Sequence, residues 1–492
     1  MPGELEAHSS DYGHLCSLKQ HHAVVVPWPG QGNINPLLHL SRTLASLYGF
    51  SITFVTLDYI HTLLKSLHNE APHELQASKP SAAAKLDIKF VGIPSGIPAD
   101  AGCTATSDVL ALCARVLHSA PAFERLVAEL RPPPTCIISD IFVEHTQDAA
   151  NKLCIPRVAF WAQSAASFAA HVVAARGLFP TEWEEGKLIE NVIAGAPPLR
   201  LKDLPGFLQA YKEPDFVFDF GVQPFTRLEE AHCVLMNSFQ ALEGEALQAL
   251  RQQIPGCRSY IIGPVLPADY FSGGNLSKSS DFNKTPGFWA EDYSCLNWLD
   301  GQPEGSVLYV SFGSIALLTE EELHEFALGF EATGFPVLWV LRPGVLEGGG
   351  HMSLPPGFEE RTQGRVHIID WAPQLHVLAH PSVGAFFTHG GWNSTLEGVS
   401  QGKPLLGFSY YADQMLNCRC IQDLWGNGLA LERHGEGLLT RSLVETKARA
   451  LMGDTKLRET ALLLRDGARR AVLGSDLGSS SMELRQFVES LP

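Results

Sequence analysis

The sequence predicts an α/β protein built from two doubly wound domains that face each other across a cleft. Three observations point there. Short β-rich runs ending in Gly, Pro, Ser or Asp alternate with helical patterning, which is the pattern of βαβ units and a mostly parallel sheet. The runs form two groups separated by a polar segment. At 492 residues the chain exceeds what one core usually supports, so two domains are the default expectation.

The elements follow in order. Residues 1–20 mix acids, His and Ser without an apolar run, and read as a disordered tail and not a signal peptide. Residues 21–265 carry "AVVVPWP", "SITFVTL", "TCIISD" and "RVAFWA", the strands of the first domain. Residues 266–292 are rich in Ser, Gly, Asn and Lys and poor in apolar periodicity, which makes them a linker. Residues 293–470 carry "SVLYVSFGS", "PVLWVLR", "VHIIDWAP" and "GAFFTHGG", the strands of the second domain.

Composition removes several function classes. Lys and Arg total 36 against 53 Asp and Glu, a net charge of −17, and no dense basic cluster occurs, so nucleic acid and anionic membranes are not expected partners. The ten cysteines show neither CxxC pairs nor metal-ligand spacing and read as reduced thiols of a cytoplasmic chain. No apolar run approaches eighteen residues, so no membrane span is expected.

The chemistry concentrates between Trp371 and Gln414. "GAFFTHGG" reads as a buried strand ending in a glycine turn, and "NSTLEGVSQG" then opens a helix with Asn393 and Ser394 at its cap. A helix N-terminus with free N–H groups is an anion site suited to a diphosphate. His389 can donate to a phosphate oxygen, and Glu397, one turn inside the helix, can accept from a ribose diol. Trp371 offers a flat face to a base, and Asp413 and Gln414 are of the kind that hold sugar hydroxyls.

This segment resembles, over its full length, the signature box of the plant family 1 glycosyltransferases, which are UDP-sugar-dependent. "CLNWLDGQPEGSVLYVSFGSIALLTEEEL", "CIISDIFVEHTQDAANKLCIPRVAFWAQSAA" and "IIGPVLP" extend the resemblance over most of residues 21–490. The resemblance implies a GT-B fold, with the acceptor bound by the domain at 21–265 and the donor by the domain at 293–470. It also implies that a last helix, within 471–492, crosses back to the first domain. On the matching positions, Trp371 stacks uracil, Ala372 bonds it through backbone, and Gln374 and Glu397 hold ribose. His389, Asn393, Ser394 and Ser314 hold the diphosphate, while Trp392, Asp413 and Gln414 hold the sugar. Trp392 and Gln414 go with glucose, so UDP-glucose is the implied co-substrate. No metal or other cofactor is implied, and the family habit is monomeric.

The sequence departs from the family at two places. The loop "PGQGN" ends in Asn33 where the family has the His that serves as general base for an inverting attack, and an amide cannot take a proton. The Asp that orients that His is present as Asp140, with nothing to orient. Ala162 stands where many relatives have a Thr that reaches the donor sugar. Three readings stay open. Acceptors such as carboxylic acids or acidic phenols arrive already deprotonated; Asp140 through a water, or His145, takes the proton; or the chain is a UDP-sugar-binding protein with impaired or lost transfer. The retained Asp413 and Gln414 favour an enzyme. The acidic balance argues against a lipid or peptidoglycan glycosyltransferase.

Other residues have plainer readings. Phe142, Phe160 and Trp161 read as core, Trp28 as either pocket or packing, and His145 as a solvated or core-satisfied imidazole. The regions Gly92 to Thr106 and Gly177 to Phe218 are expected to shape the acceptor pocket.

Overall fold

The computed structural model describes residues 21–69, 86–96, 109–184, 186–272, 288–349, 352–433, 439–473 and 478–492. The tail at 1–20, most of the linker and residues 97–106 of the first acceptor region lie outside them.

The first sheet holds β1 (His22–Val26), β2 (Ser51–Leu57), β3 (Ile88–Ile93), β4 (Cys136–Asp140), β5 (Arg157–Trp161), β6 (Cys233–Met236) and β7 (Ser259–Ile261). Its order is β3-β2-β1-β4-β5-β6-β7, with every neighbouring pair parallel. The second sheet holds β8 (Val307–Ser311), β9 (Val337–Val340), β10 (Val366–Ile369), β11 (Val383–Thr388), β12 (Leu405–Gly407) and β13 (Gly428–Ala430). Its order is β10-β9-β8-β11-β12-β13, again parallel throughout. A parallel sheet covered by helices buries both faces, which is why β1, β4, β5 and β8 are buried at every position. All eight strand-like runs of the sequence contain a strand, β7 ends at the first residue of "IIGPVLP", and β3, β6, β12 and β13 are additional.

The two units touch at several points. Asn393 Nδ2 donates to the Gly32 carbonyl, and the Trp392 indole N–H donates to the Asn237 carbonyl at 2.7 Å. Gly206 N–H donates to the Ala412 carbonyl at 2.8 Å, and the Arg200 guanidinium pairs with Glu432 at 2.7 Å.

The helix Ser479–Ser490 returns to the first sheet. Ser480 Oγ donates to the Gly263 carbonyl at 2.6 Å, and Glu483 accepts the Ile261 N–H at 2.5 Å and pairs with Arg251. Phe487 is fully buried in the same apolar cluster as β1 and β4. Truncating it, Phe487→Ala, removes a buried ring and leaves a cavity. The expected cost is about 3–5 kcal/mol, read as a lowered urea midpoint of the first unit.

Candidate active site

In a doubly wound sheet the ligand crevice opens where the strand order reverses, because the loops leaving two adjacent strands turn to opposite sides. The first sheet reverses between β1 and β4, and the second between β8 and β11. Residues that follow these four strands form the centre of the site, and residues after β5, β10 and β12 complete its walls.

After β1, the helix Gln31–Tyr48 starts with Gly30 as its N-cap. Asn33 thus lies in the first helical turn and not in the loop before it. Its Nδ2 donates to Asp140 Oδ2 at 2.7 Å, across the gap from the end of β4. The Phe142 N–H donates to the other carboxylate oxygen at 3.0 Å. Asp140 therefore has a group to hold, the Asn33 amide, which corrects the expectation that it orients nothing. Burial pushes the Asp140 carboxyl up to about 6, against the lowering effect of the Phe142 and Asn33 hydrogen bonds and the Arg157 charge.

After β8 comes Gly313, in the left-handed region at φ +72°, and then Ser314. A Cβ at Gly313 would lie 2.5 Å from His389 Cε1, so only glycine lets this loop approach the imidazole. Burial holds His389 down at about 4, which keeps the ring neutral. The helix Trp392–Ser400 follows β11 with Gly391 as its N-cap. Asn393 and Ser394 occupy its second and third positions, inside the cap and within the first turn, whose N–H groups are unpaired.

Two adjoining cavities share Gly32, Ser314, His389 and Ser394. The first is lined by Trp371, Ala372, Gln374 and Glu397 from the second unit, with Gln31 and Asn35 from the first. Gln374 organises it. Its Oε1 accepts the Tyr309 hydroxyl at 3.0 Å, while its Nε2 donates to Glu397 at 2.7 Å and Ser394 at 3.0 Å. Burial pushes Glu397 up to about 7; the Gln374 bond lowers it and the Glu291 charge raises it. Glu291 also lines this cavity, accepts the Tyr293 hydroxyl at 2.8 Å, and is itself pushed up to about 7 by burial. Trp371 packs its ring against Trp289 at 4.8 Å, and its carbonyl accepts the Asp292 N–H at 2.9 Å. Sequence reasoning missed Trp289 and Glu291, and the aromatic pair Phe288 and Trp289 in an otherwise polar segment was the available signal.

The second cavity has one wall from each unit. The first unit supplies Trp28, Asn33, Leu112, Phe142, Ala162, Gln163 and Phe207; the second supplies Ile315, Trp392, Asn393, Tyr411, Asp413 and Gln414. Asp413 Oδ2 accepts from Asn417 at 2.8 Å, and burial pushes its carboxyl up to about 6. Gln414 Oε1 accepts the N–H of Tyr410 at 2.8 Å and of Tyr411 at 3.2 Å, so its NH2 group is what remains to offer a ligand.

Two sequence readings change here. Phe142 is buried yet lines the cavity, edge-on to Phe207 at 5.7 Å and stacked on Phe220 at 6.1 Å, so it is a wall as well as core. His145 is not among the lining residues of either cavity; its ring packs against Phe123 at 5.7 Å, and burial holds it down at about 4. It is no candidate base. Phe160 and Trp161 are core. Among the described residues, no group of three or more His, Cys, Asp or Glu could hold a metal ion, and no helix is long and apolar enough to cross a membrane.

Two parallel sheets with their reversal points opposed across one crevice define the GT-B class. Residues 277–466 match the family model for UDP-glucoronosyl and UDP-glucosyl transferase. The 7-deoxyloganetin glucosyltransferase of Gardenia jasminoides is 34% identical, over 97% of this chain and 99% of that one. The (R)-mandelonitrile beta-glucosyltransferase of Prunus dulcis is also 34% identical, over 97% and 98%. Among solved structures, Os79 from O. sativa in complex with UDP superposes with a TM-score of 0.79 at 26% identity, over 96% of this chain and 100% of that one. Phytolacca americana UGT2, complexed with UDP-2fluoro-glucose and pterostilbene, does so with 0.77 at 27% identity, over 96% and 99%. The chain belongs to the plant family 1 UDP-glycosyltransferases, and it is a UDP-glycosyltransferase enzyme.

The paired carboxylates of the first cavity generate a pH prediction. A ligand hydroxyl in this cavity donates best to an ionised Glu397, so with UDP as the probe affinity is expected to rise as pH passes upward through about 7. Removing the neighbouring charge with Glu291→Gln lowers the Glu397 pKa, and the rise should move to lower pH. Calorimetric titration of UDP between pH 5.5 and 8.5, a range of about three units around that value, checks both directions.

Proposed function

We propose that this enzyme transfers glucose from UDP-glucose, with inversion, to the hydroxyl of a neutral or phenolic aromatic small molecule. The first cavity takes the nucleoside: Trp371 stacks uracil, Ala372 bonds it through backbone, and Gln374 with Glu397 holds the ribose. Ser314, His389, Asn393 and Ser394 hold the diphosphate beside the N-terminus of the helix Trp392–Ser400, whose dipole favours the charge that grows on the leaving UDP. A neutral His389 donates to a phosphate oxygen without needing a proton. Trp392, Asp413 and Gln414 hold the sugar. No metal enters this reading. The domain boundaries at 265/266, 292/293 and 470/471, the monomer and the cytoplasmic setting belong to the same reading; free cysteines such as Cys136, Cys233 and Cys418 suit a reducing compartment.

The observation that carries the acceptor side is the Asn33–Asp140 hydrogen bond. Both Asp140 oxygens are engaged and the carboxylate is 1% exposed, so it is not set to take a proton from the cavity. With its NH2 group committed to Asp140, Asn33 has its carbonyl oxygen left to accept a hydrogen bond from the acceptor hydroxyl. It positions the nucleophile and leaves the proton to solvent. The oxygen bonds to the anomeric carbon as the bond to UDP breaks. Acceptors acidic enough to ionise in water suit this arrangement best. Trp28, Phe142 and Phe207 supply aromatic surface, and the described residues lining this cavity include Asp413 but no Lys or Arg, which favours phenols over carboxylates.

The same bond also fits a second reading, a UDP-sugar-binding protein with impaired or lost transfer. Glucose transfer from UDP-glucose to phenols, alcohols and carboxylic acids, by the native chain and by Asn33→His, separates the two. Under the first reading the native chain turns over acidic phenols, and its rate climbs with pH until the phenol's own pKa. Asn33→His should raise turnover of neutral alcohols by about 10²-fold or more, the worth of a general base, and should flatten the pH profile on phenols. No turnover of any acceptor by the native chain supports the second reading.

A further inference from the structure

The first unit's wall of the second cavity carries two amide side chains among the described residues, Asn33 and Gln163. Both are pinned. Asn33 spends its NH2 group on Asp140. Gln163 spends its carbonyl: Oε1 accepts the Ser167 hydroxyl at 2.9 Å. Ser167 is fully buried in the first turn of the helix Ala165–Ala175, whose N-cap Ser164 accepts the Ser167 N–H, so the anchor is fixed. The neighbour Ala162 adds only a methyl group. What this wall offers a ligand includes the acceptor Asn33 Oδ1, the indole N–H of Trp28 and the side-chain NH2 donor Gln163 Nε2.

We propose that Gln163 is a donor-sugar residue, giving a hydrogen bond from Nε2 to a hydroxyl of the transferred hexose. The inference rests on the UDP-glucose reading given above. The opposite wall supports it. Asp413 and Gln414 line the same cavity, and a hexose held there also meets the first unit's side, whose lining includes Gln163 and Asn33. An NH2 group held by a fixed hydroxyl loses little freedom when it binds, which makes it a useful discriminator among sugars. Gln163 is in this sense a specificity residue; it takes no proton and forms no bond to carbon.

The test compares equilibrium binding of UDP and UDP-glucose by calorimetry for the native chain, Gln163→Glu and Gln163→Leu. Glu keeps the length and the acceptor for Ser167 but loses the NH2 group; Leu loses both polar ends at similar volume. The expected result is UDP-glucose weakened about three- to tenfold in both variants, the worth of one neutral hydrogen bond, with UDP unchanged within about twofold, which also reports an intact fold. Equal weakening of UDP and UDP-glucose means that the amide serves the fold, and overturns the proposal. Unchanged UDP-glucose binding overturns it as well, and a rise confined to the acceptor's Michaelis constant assigns the amide to the acceptor instead. If the native chain binds neither UDP nor UDP-glucose, the UDP-glucose reading fails first and takes this inference with it.

Discussion

Parallel pairing is the constraint on which the rest of this structure depends. When every strand of a sheet runs the same way, all the carboxyl ends, and the free N–H groups of the helices that follow, gather on one edge. The reversal of order at β1/β4 and again at β8/β11 then opens a crevice on that edge in each sheet. Opposing the two edges brings Asn33, held by Asp140 behind it, to the same cavity system as Ser314, His389 and the helix start at Trp392. None of these residues needs a long loop to reach the site. The contact from Asn393 to the Gly32 carbonyl closes the seam between the two helix starts.

Burial shifts the titratable groups of the site towards their neutral forms. His389 is held neutral by burial, and Glu397, Glu291 and Asp413 are all pushed upward from the ordinary carboxylate range by the same cause. A buried polar group is costly unless it has a partner, and here most partners are other polar side chains: Gln374 for Glu397, Tyr293 for Glu291, Asn417 for Asp413. Such a network fixes side-chain orientation without fixing charge. The Asn33–Asp140 pair follows the same pattern: the amide donates to the buried carboxylate at 2.7 Å, and it has no nitrogen that accepts a proton.

The strands legible in the sequence were apolar runs rich in β-branched or aromatic residues before a turn, such as "AVVV" and "SITFVTL". β12 and β13 have three residues each and include glycine, and β6 is the four-residue run "CVLM"; length and composition at that scale do not separate strand from helix. β3 was hidden because Lys89, Phe90 and Gly92 break the pattern at an exposed sheet edge. Phe142 read as core because a buried ring and a cavity wall look alike until the empty side is known. His145 read as a possible base because "DIFVEH" places it five residues from Asp140, while the helix Thr146–Leu153 turns the ring toward Phe123.

The sequence by itself determined the class and gathered the residues proposed to hold the donor, because those from Trp371 to Gln414 lie in one contiguous segment whose spacing a strand, a glycine turn and a helix translate directly into geometry. Tertiary structure decided the acceptor half. Asn33 meets Asp140 across 107 positions of chain, Gln163 and Phe207 reach one cavity from different elements, and Glu291 and Trp289 fold onto the nucleoside side from the segment between the sheets. Those neighbours are set by how the two sheets pack and face each other, and no local spacing encodes that relation.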